Sequence, residues 1–276
     1  MASPDALDPV RFHDFEQAGW QRAAAHYPGT FGTLTAQTIA PLLDAAGVCA
    51  GVRVLDVATG PGYVAGAARA RGASVIGLDF SRAMIEEARG CDPGVAFREG
   101  DAEALPFEDG SFDAVVMNFG LLHLARPEVA IAEAYRVLRP GGRYAFTVWD
   151  APERAVGFGM VMRAIETHGT LDVGLPDGPP FFRFSDPDEC RRTLRHTGFV
   201  DPDVQPLPLV WTLPSAEGLF DAMSRGGVRT TAALRAQTPD ALVLIRHALH
   251  TAMLAFQQGD TCAVPMPAVL ASATKA

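Results

Sequence analysis

The sequence has few cysteines and only one lysine. The four cysteines are widely scattered, with no C-x-x-C pair, so their spacing predicts neither a disulfide framework nor a zinc site. Lys275 is the single lysine, and the formal net charge is −9. Binding to a phosphate backbone needs clustered Lys and Arg side chains. The composition therefore argues against a nucleic-acid partner.

Long apolar runs are also missing. No stretch approaches the roughly 18 residues that a membrane helix requires, and the N-terminus MASPDALDPVRFHDFEQ lacks the charged-then-apolar pattern of a signal peptide. The chain has 276 residues, of which 48% are hydrophobic, enough to form one large domain with its own core. We therefore expect a cytoplasmic protein that does not insert into a membrane.

The middle of the chain alternates short β-branched runs with helical patterns. Five strands are predicted: VRVLDV (52–57), SVIGLD (74–79), VAFREG (95–100), FDAVVMNF (112–119) and RYAFTVW (143–149). Between them apolar residues recur at helical spacing, and Pro140-Gly141-Gly142 predicts a helix stop. Such alternation predicts right-handed crossovers and a parallel sheet covered on both faces. Sheets of this kind bind ligands beyond the carboxyl ends of their strands.

The flanking segments are less regular. Helices are predicted over about 14–26, 34–46, 155–168, 188–197, 215–225 and 239–257. The segment after residue 198 is extended to about 213, and PMPAVLASATK near the C-terminus resembles a final strand.

A glycine-rich turn follows the first predicted strand, in VLDVATGPG. Gly60 and Gly62 allow close approach of the backbone to a ligand and positive φ angles. The spacing Gly60-x-Gly62-x-x-Ala65, with Asp79 nineteen residues after Gly60, satisfies a relaxed dinucleotide fingerprint. By itself this pattern fits a nicotinamide enzyme, and it also fits a tight strand–helix turn without a ligand.

Acidic residues at the ends of three strands narrow the choice of ligand for the glycine turn. Asp56 precedes the glycine turn, where a carboxylate repels a pyrophosphate and attracts an ammonium group. Asp79 ends the second strand, where it can accept both hydroxyls of a ribose. Asp101 follows the third strand, where it can receive an exocyclic amine, and Asn118 ends the fourth. The predicted ligand has a ribose, an amine-bearing base and a cationic tail, without a need for phosphate.

At this point a family resemblance emerges. The segments VLDVATGPG, IGLDFS, GDAEALPFEDGSFDAVVMNFGLLHL and RVLRPGGRYAFTVW resemble the successive motifs of class I S-adenosylmethionine-dependent methyltransferases. They are most similar to the small-molecule group that includes ubiquinone and menaquinone C-methyltransferases. The resemblance covers about residues 50–150 in order and spacing, and it specifies the cofactor far better than the acceptor.

The resemblance implies a fold and a cofactor site. The fold is a doubly wound, mostly parallel, seven-stranded Rossmann-like sheet whose last strand is antiparallel. The methionine part of S-adenosylmethionine would face Asp56 and the backbone of residues 58–62, which includes Ala58, Thr59, Gly60 and Gly62. Asp79 would hold the ribose hydroxyls. Adenine would contact Phe80, Asp101 and Ala102, and the floor beneath the sulfur would be lined by Asn118 and Phe119. Tyr27 would lie over the cofactor, although a core tyrosine is an equal alternative.

The resemblance also divides the chain. Residues 1–50 would be N-terminal helices covering the cofactor site, and residues 51–150 the cofactor-binding core. Residues 151–276 would complete the sheet and carry a helical substrate cap, with about 214–258 inserted before the last strand. We expect 214–258 to be a mobile lid hinged at Gly226-Gly227, with Phe220 and Met223 facing the acceptor.

Among seven histidines, only His123 lies near the methyl group by motif. It is a candidate general base, needed only if the acceptor loses a proton; a structural loop histidine is the alternative. His247 and His250 lack nearby ligands at metal-binding spacing, so no metal is predicted.

The leading hypothesis is methyl transfer to O, C or N of a small, apolar or aromatic acceptor, giving S-adenosylhomocysteine as the product. Candidate acceptor contacts include FFRF (181–184), Arg183, Arg225 and Arg229. Two alternatives stay open, a cofactor-binding protein without transfer activity and a nicotinamide-dependent oxidoreductase. A homodimer also stays open.

Overall fold

The computed structural model describes residues 8–276, so residues 1–7 of the predicted N-terminal region lie outside the described residues. The strands in this part of the chain are β1 (Arg53–Val57), β2 (Ser74–Asp79), β3 (Ala96–Glu99), β4 (Phe112–Asn118), β5 (Leu138–Trp149), β6 (Phe199–Leu207), β7 (Val210–Leu213), β8 (Gln257–Gln258), β9 (Thr261–Pro265) and β10 (Ala268–Lys275).

The α-helices of the same range are α1 (Pro9–Ala23), α2 (Gly32–Thr35), α3 (Ile39–Ala45), α4 (Tyr63–Ala70), α5 (Arg82–Cys91), α6 (Pro127–Val137), α7 (Val156–His168), α8 (Pro187–Thr197), α9 (Gly218–Met223), α10 (Arg229–Arg235) and α11 (Pro239–Met253). Short 3-10 turns follow α1, α2 and α11 and precede α6 and α8. No helix within residues 8–276 is both long and apolar enough to cross a membrane.

Seven strands form the main sheet, in the order β3-β2-β1-β4-β5-β10-β6. The first five are parallel, with Val54 opposite Val75 of β2 and Ala114 of β4. Strand order reverses at β1 and β4, and this reversal places the ligand crevice of a doubly wound sheet beyond their carboxyl ends. The predicted fold class, a doubly wound, mostly parallel seven-stranded sheet, is confirmed.

The last strand, β10, is antiparallel to both of its neighbours. Leu270 lies opposite Thr147 of β5 and Gln205 of β6. Residues 268–273 of β10 are buried, so this strand is central despite being last in the chain.

A second, three-stranded sheet was not expected from the sequence. It has the order β7-β9-β8 and is antiparallel throughout, with Trp211 opposite Val264. The helices α9, α10 and α11 lie between β7 and β9 along the chain. The segment predicted as an insertion before the last strand is therefore bordered by two strands that pair with each other.

Two local expectations were wrong, and one helix was not predicted. The helix predicted over 34–46 is split into α2, a 3-10 turn and α3. The helix before Pro140-Gly141-Gly142 already ends at Val137, and the three residues lie inside β5 where its register against β4 shifts. Finally, α10 was not predicted at all.

Candidate active site

A cavity opens beyond the carboxyl ends of β1, β2 and β4. Its empty space is about 1030 Å³, counting the open mouth, about the upper end of the range for small-molecule sites. Its lining includes polar groups from the strand ends and aromatic side chains from the N-terminal helices and the second half of the chain. A smaller space of about 330 Å³ shares Tyr27, Gly60 and Asn118 with it.

Most of the residues predicted from sequence meet in these two spaces. The main cavity is lined by Tyr27, Ala58, Gly60, Asp79, Phe80, Asp101, Ala102, Asn118, Phe119 and His123. The smaller space is lined by Asp56 and Thr59 as well. Gly62 lines neither space, because it is packed behind the turn.

The glycine turn has a sharply bent backbone. Ala58, Gly60 and Gly62 have φ angles of 54°, 52° and 80°, all in the left-handed region. A Cβ atom on Gly62 would lie 2.7 Å from Cζ of Phe97, whereas one on Gly60 would have nothing within 4 Å. Gly62 therefore serves packing and the start of α4, and Gly60 leaves space open on the cavity side.

Asp56 is a buried carboxylate with one free oxygen. Its side chain is 1% exposed, and Oδ2 accepts a 2.6 Å hydrogen bond from the hydroxyl of Thr59. Oδ1 has no hydrogen-bond partner among the described residues. Burial raises the pKa of Asp56 to about 7. An unpaired buried carboxylate oxygen favours a cationic partner, which fits the ammonium group predicted for the ligand.

Asp79 joins the glycine turn to the end of β2. Oδ2 accepts a 2.9 Å hydrogen bond from the amide of Gly60, and Oδ1 accepts one of 2.8 Å from the amide of Ser81. Ser81 in turn caps α5 by accepting from the amide of Met84. Burial raises the pKa of Asp79 to about 6. Each carboxylate oxygen keeps a second lone pair for a hydroxyl donor.

The third acid, Asp101, is more open. Its Oδ1 accepts from the amide of Glu103 at 2.8 Å, and its Oδ2 lies 3.7 Å from Nε2 of His13. The ring of Phe80 meets that of His13 edge-on at 5.5 Å. His13, on α1, is a neighbour of the site that the sequence analysis missed.

Asn118 and Phe119 form part of the cavity floor. The side chain of Asn118 is already held, since its Oδ1 accepts from the hydroxyls of Thr38 and Thr147 at 2.7 and 2.6 Å. Phe119 has a φ of 56° and stacks on Trp149 with ring centres 4.0 Å apart. These contacts fix the floor before any ligand binds.

Tyr27 is half-buried and lines both spaces. Its hydroxyl lies 2.9 Å from Oγ1 of Thr35, and burial raises the pKa of Tyr27 to about 12. This position suits the role predicted over the cofactor, which stays a prediction.

His123 lines the main cavity and contacts α1. Its Nδ1 lies 2.9 Å from Oε2 of Glu16, and its ring meets that of Trp20 edge-on at 4.9 Å. Glu16 was missed by the sequence analysis. The sequence feature that could have identified Glu16 is its position on the inner face of α1, where the other buried residues are Phe12, Gly19 and Ala23.

The apolar wall of the cavity is aromatic. It includes Trp20, Phe31, Trp149, Phe158, Phe181 and Met223. Of the predicted pair, Met223 is fully buried and faces the cavity. The expectation for Phe220 was wrong, because Phe220 does not line the cavity and lies under the guanidinium of Arg246.

Of the three arginines proposed as acceptor contacts, Arg229 lines the cavity and Arg183 and Arg225 do not. Arg183 is paired with Glu128 and Glu189, so its charge is already balanced. Arg225 is exposed and 3.8 Å from Asp221. Arg229 does line the cavity, where it donates to the carbonyl of Pro176 at 3.0 Å and covers the ring of Phe12.

The remaining histidines lie outside the cavity lining. His250 contacts Glu217 at 2.9 Å, and His247 is exposed on the same helix. Across residues 8–276, no group of three or more His, Cys, Asp or Glu side chains is arranged to hold a metal ion.

The fold and site define a class of protein: a doubly wound α/β protein with a glycine turn and three acids at the ligand-binding edge of its sheet. Residues 55–146 match the family described as the methyltransferase domain. Demethylmenaquinone methyltransferase of Renibacterium salmoninarum is 41% identical over 128 residues, covering 45% of this chain and 54% of that protein. The enzyme of the same name from Deinococcus radiodurans is 36% identical over 165 residues, covering 53% and 67%. The chain belongs to the methyltransferase-domain family.

The fold comparison agrees. Phosphoethanolamine N-methyltransferase 2 of Haemonchus contortus, solved with S-adenosylmethionine, superimposes with a TM-score of 0.58 at 19% identity, covering 98% of this chain and 60% of that one. Identity this low shows a shared fold alone. The predicted methyltransferase family is confirmed by the family match and by the Deinococcus radiodurans relative. The chain spans only about half the length of most curated relatives it matches.

Proposed function

We propose that this protein transfers a methyl group from S-adenosylmethionine to O, C or N of a small, apolar or aromatic acceptor. The observation that carries the proposal is the buried Oδ1 of Asp56, which has no partner in the described structure and lies beside the glycine turn. An ammonium group balances it, whereas a pyrophosphate in that position would be repelled. This contrast favours the methyltransferase reading over a nicotinamide dinucleotide.

The cofactor-binding roles follow the strand ends. Asp56 and the backbone of residues 58–62 hold the methionine part, and Asp79 holds the ribose hydroxyls. The adenine edge is bound by Asp101 and Ala102, and Phe80 packs on its face. When bound, S-adenosylmethionine supplies an electrophilic methyl group on a sulfonium, and the protein supplies orientation.

The floor and roof of the site have separate roles. Asn118 and Phe119 form a fixed floor, because the contacts of both side chains are already made. Tyr27 closes the cofactor side from above. A rigid floor favours catalysis by alignment, which contributes up to roughly 7–11 kcal/mol when reacting groups are held in a productive geometry.

The acceptor is a planar or lipophilic molecule. The cavity lining includes large aromatic side chains, which favour flat apolar rings. Two of the relatives above act on demethylmenaquinone by name, which supports an acceptor of this chemical kind. Arg229 is the cationic side chain of the cavity lining and would contact a polar substituent of the acceptor.

The division of labour along the chain is part of the proposal. Residues 1–50 cover the cofactor, residues 51–150 bind it, and residues 151–276 complete the sheet and form the acceptor cap. The cytoplasmic location, the absence of a nucleic-acid partner and the homodimer left open by the sequence stay predictions.

Isothermal titration calorimetry tests the cofactor. S-adenosylhomocysteine should bind in the micromolar range, about −8 kcal/mol, and NAD far more weakly. Tight binding of NAD with none of S-adenosylhomocysteine would overturn the proposal. Transfer of a radioactive methyl group to a panel of aromatic acceptors then separates an enzyme from a protein that only binds the cofactor.

A further inference from the structure

Glu16 is a buried acid in a position where an apolar residue is expected. Its side chain is completely buried on the inner face of α1. The other buried residues of that face are Phe12, Gly19 and Ala23, so the spacing is that of an apolar stripe. A carboxylate there is costly unless a partner compensates it.

Other buried glutamates of this protein are paired with arginine. Glu103 accepts from both the amide and Nε of Arg126, at 2.6 and 2.7 Å. Glu189 is paired with Arg183 and Arg192. Within residues 8–276, no arginine or lysine pairs with Glu16. Its Oε2 contacts Nδ1 of His123 at 2.9 Å, and its Oε1 has no partner among the described residues.

His123 lies between Glu16 and the main cavity. His123 lines the main cavity, and its side chain is 15% exposed. Because Nδ1 is engaged by Glu16, Nε2 is the ring nitrogen left for a molecule in the cavity. A carboxylate on one imidazole nitrogen fixes the tautomer and stabilises the positive charge that forms when the other nitrogen takes a proton.

We propose that Glu16 is a positioning residue that holds His123 as the general base of the reaction, and that the acceptor is therefore one that loses a proton, such as a phenol, a hydroquinone or an aromatic amine. This inference rests on the methyl transfer proposed above. The bond from hydrogen to the acceptor atom breaks, and a bond from that hydrogen to Nε2 of His123 forms. The electron pair stays on the acceptor, where it would form the bond to the methyl group of S-adenosylmethionine. The bond between that methyl group and the sulfonium would break, and its electron pair would stay on the sulfur of the product, S-adenosylhomocysteine.

Further ionisable groups face the same cavity and bear on any pH profile. Asp79 is close enough for the charge of His123 to lower its pKa, against the larger effect of burial. The aromatic neighbours Trp20 and Phe181 contact the His123 ring edge-on and carry no charge. The other titratable or charged side chains of the lining are Tyr27, Asp101 and Arg229.

The first test needs no acceptor. Nitrogen-15 NMR of histidine-labelled protein reports which ring nitrogen carries the proton, and the His123→Gln variant identifies the signals of His123. We expect the Nδ1-protonated tautomer in the natural protein and a mixture of both tautomers in Glu16→Gln. Asp14→Asn, an exposed acid on the same helix whose contact is with His13, is the control and should leave the His123 signals unchanged. Unchanged His123 signals in a folded Glu16→Gln protein would overturn the proposal.

A second variant guards against misfolding. If Glu16→Gln does not fold, Glu16→Leu restores the apolar stripe of α1 and removes the carboxylate, so the same spectra can be recorded. Loss of the single tautomer in this variant supports the proposal, and its retention overturns it.

The second test measures turnover with 1-naphthol, 1,4-dihydroxynaphthalene and 1-naphthylamine as acceptors and S-adenosylmethionine as donor. On a methylated probe, Glu16→Gln should lower kcat about 10- to 100-fold, less than the roughly 10²–10⁴-fold effect of a whole general base because His123 itself stays in place, and leave KM within about threefold. Wild-type kcat in this variant would overturn the base role while leaving methyl transfer intact. Absence of S-adenosylhomocysteine binding by the natural protein would instead overturn the proposed function, and the tautomer comparison would then decide whether Glu16 holds His123.

Discussion

The amide of Gly60 donates a 2.9 Å hydrogen bond to Oδ2 of Asp79, which joins the turn after β1 to the end of β2. The two residues are nineteen positions apart, and each belongs to a different part of the predicted cofactor site. Their contact fixes the relative position of the glycine turn and the ribose-binding acid in the free protein. Such preorganisation lowers the entropy lost on binding.

Asp79 should be required for cofactor affinity. Asp79→Asn keeps one acceptor oxygen for the amides of Gly60 or Ser81 and removes the charge that strengthens hydrogen bonds to ribose hydroxyls. We expect a loss of about 1.5–3 kcal/mol, or about 10- to 150-fold in affinity, by calorimetry with S-adenosylhomocysteine. Asp260→Asn, at an exposed turn before β9, is the control. Equal affinity in a folded Asp79→Asn protein would show that the ribose lies elsewhere.

Stability should fall as the pH rises in the absence of cofactor. Burial raises the pKa of Asp56 from 3.8 to about 7 and that of Asp79 from 3.8 to about 6. Between about pH 4 and 7 the folded state therefore binds more protons than the unfolded chain. The stability that the protonated forms of Asp56 and Asp79 contribute is complete below pH 4 and is lost by about pH 7. Each group contributes a slope of at most about 1.4 kcal/mol per pH unit.

Urea denaturation of the cofactor-free protein at pH 5 and pH 8 measures this slope. Asp56→Asn should reduce the difference in the free energy of unfolding between the two pH values. Asp240→Asn, an exposed acid at the start of α11, should leave the difference as it is. A pH dependence that Asp56→Asn does not alter would assign it to other groups.

The two glycines of the turn should respond differently to alanine. Gly62→Ala brings a Cβ to 2.7 Å from Phe97 at a φ of 80°, so we expect a loss of about 2–4 kcal/mol in unfolding free energy from strain and overpacking. In Gly60→Ala the added methyl group meets no atom within 4 Å, so the unfolding free energy should fall by only about 1–2 kcal/mol. The methyl group would instead occupy the space in which the backbone of the turn is proposed to contact the cofactor. It should weaken S-adenosylhomocysteine binding more than tenfold. Wild-type affinity of Gly60→Ala would remove Gly60 from the site.

The sequence predicted the cofactor side because its signals are local. Asp56 and Asp79 stand at strand ends and Gly60 lies in the turn after β1. Parallel strands bring their carboxyl ends to one edge of the sheet. A strand, its terminal acid and the following turn lie within a few residues of one another. Once the alternation of strands and helices is recognised, their proximity follows from topology.

The acceptor side was predicted less well because its contacts are distant in sequence. Glu16 and His123 are 107 positions apart, and nothing in the local pattern of α1 names its partner. The small sheet pairs Val210 with Pro265 across three helices. Strands of two to five residues with few alternating positions carry little periodicity. β8 was therefore absorbed into the predicted insertion 214–258, and β9, which follows it, was not predicted as a strand.

The roof of the cavity is formed where α1 and the segment before α10 meet. A Cβ on Gly19 would lie 2.7 Å from Cγ2 of Val228, and one on Gly226 would lie 2.7 Å from Cβ of Thr30. Both glycines are buried. The N-terminal region and residues 226–228 are therefore in close contact beside the cavity, and we expect their separation to admit an acceptor. The neighbouring Gly227 has more room, with the nearest atom of Phe31 at 3.9 Å from a Cβ.

Gly226→Ala should therefore open the cap, and Gly227→Ala should not. The added methyl group of the first variant must push residues 223–230 away from Thr30 and Phe31, at a cost of about 1–3 kcal/mol. Hydrogen exchange followed by mass spectrometry should show faster exchange over 214–236 in Gly226→Ala, and rates close to wild type in Gly227→Ala. Adding S-adenosylhomocysteine with 1-naphthol should slow exchange in the natural protein, as expected for a lid that closes over its ligands. Strong protection of 214–236 that neither ligands nor Gly226→Ala changes would instead make this segment a fixed wall, and the acceptor would then be selected by the static shape of the aromatic cavity.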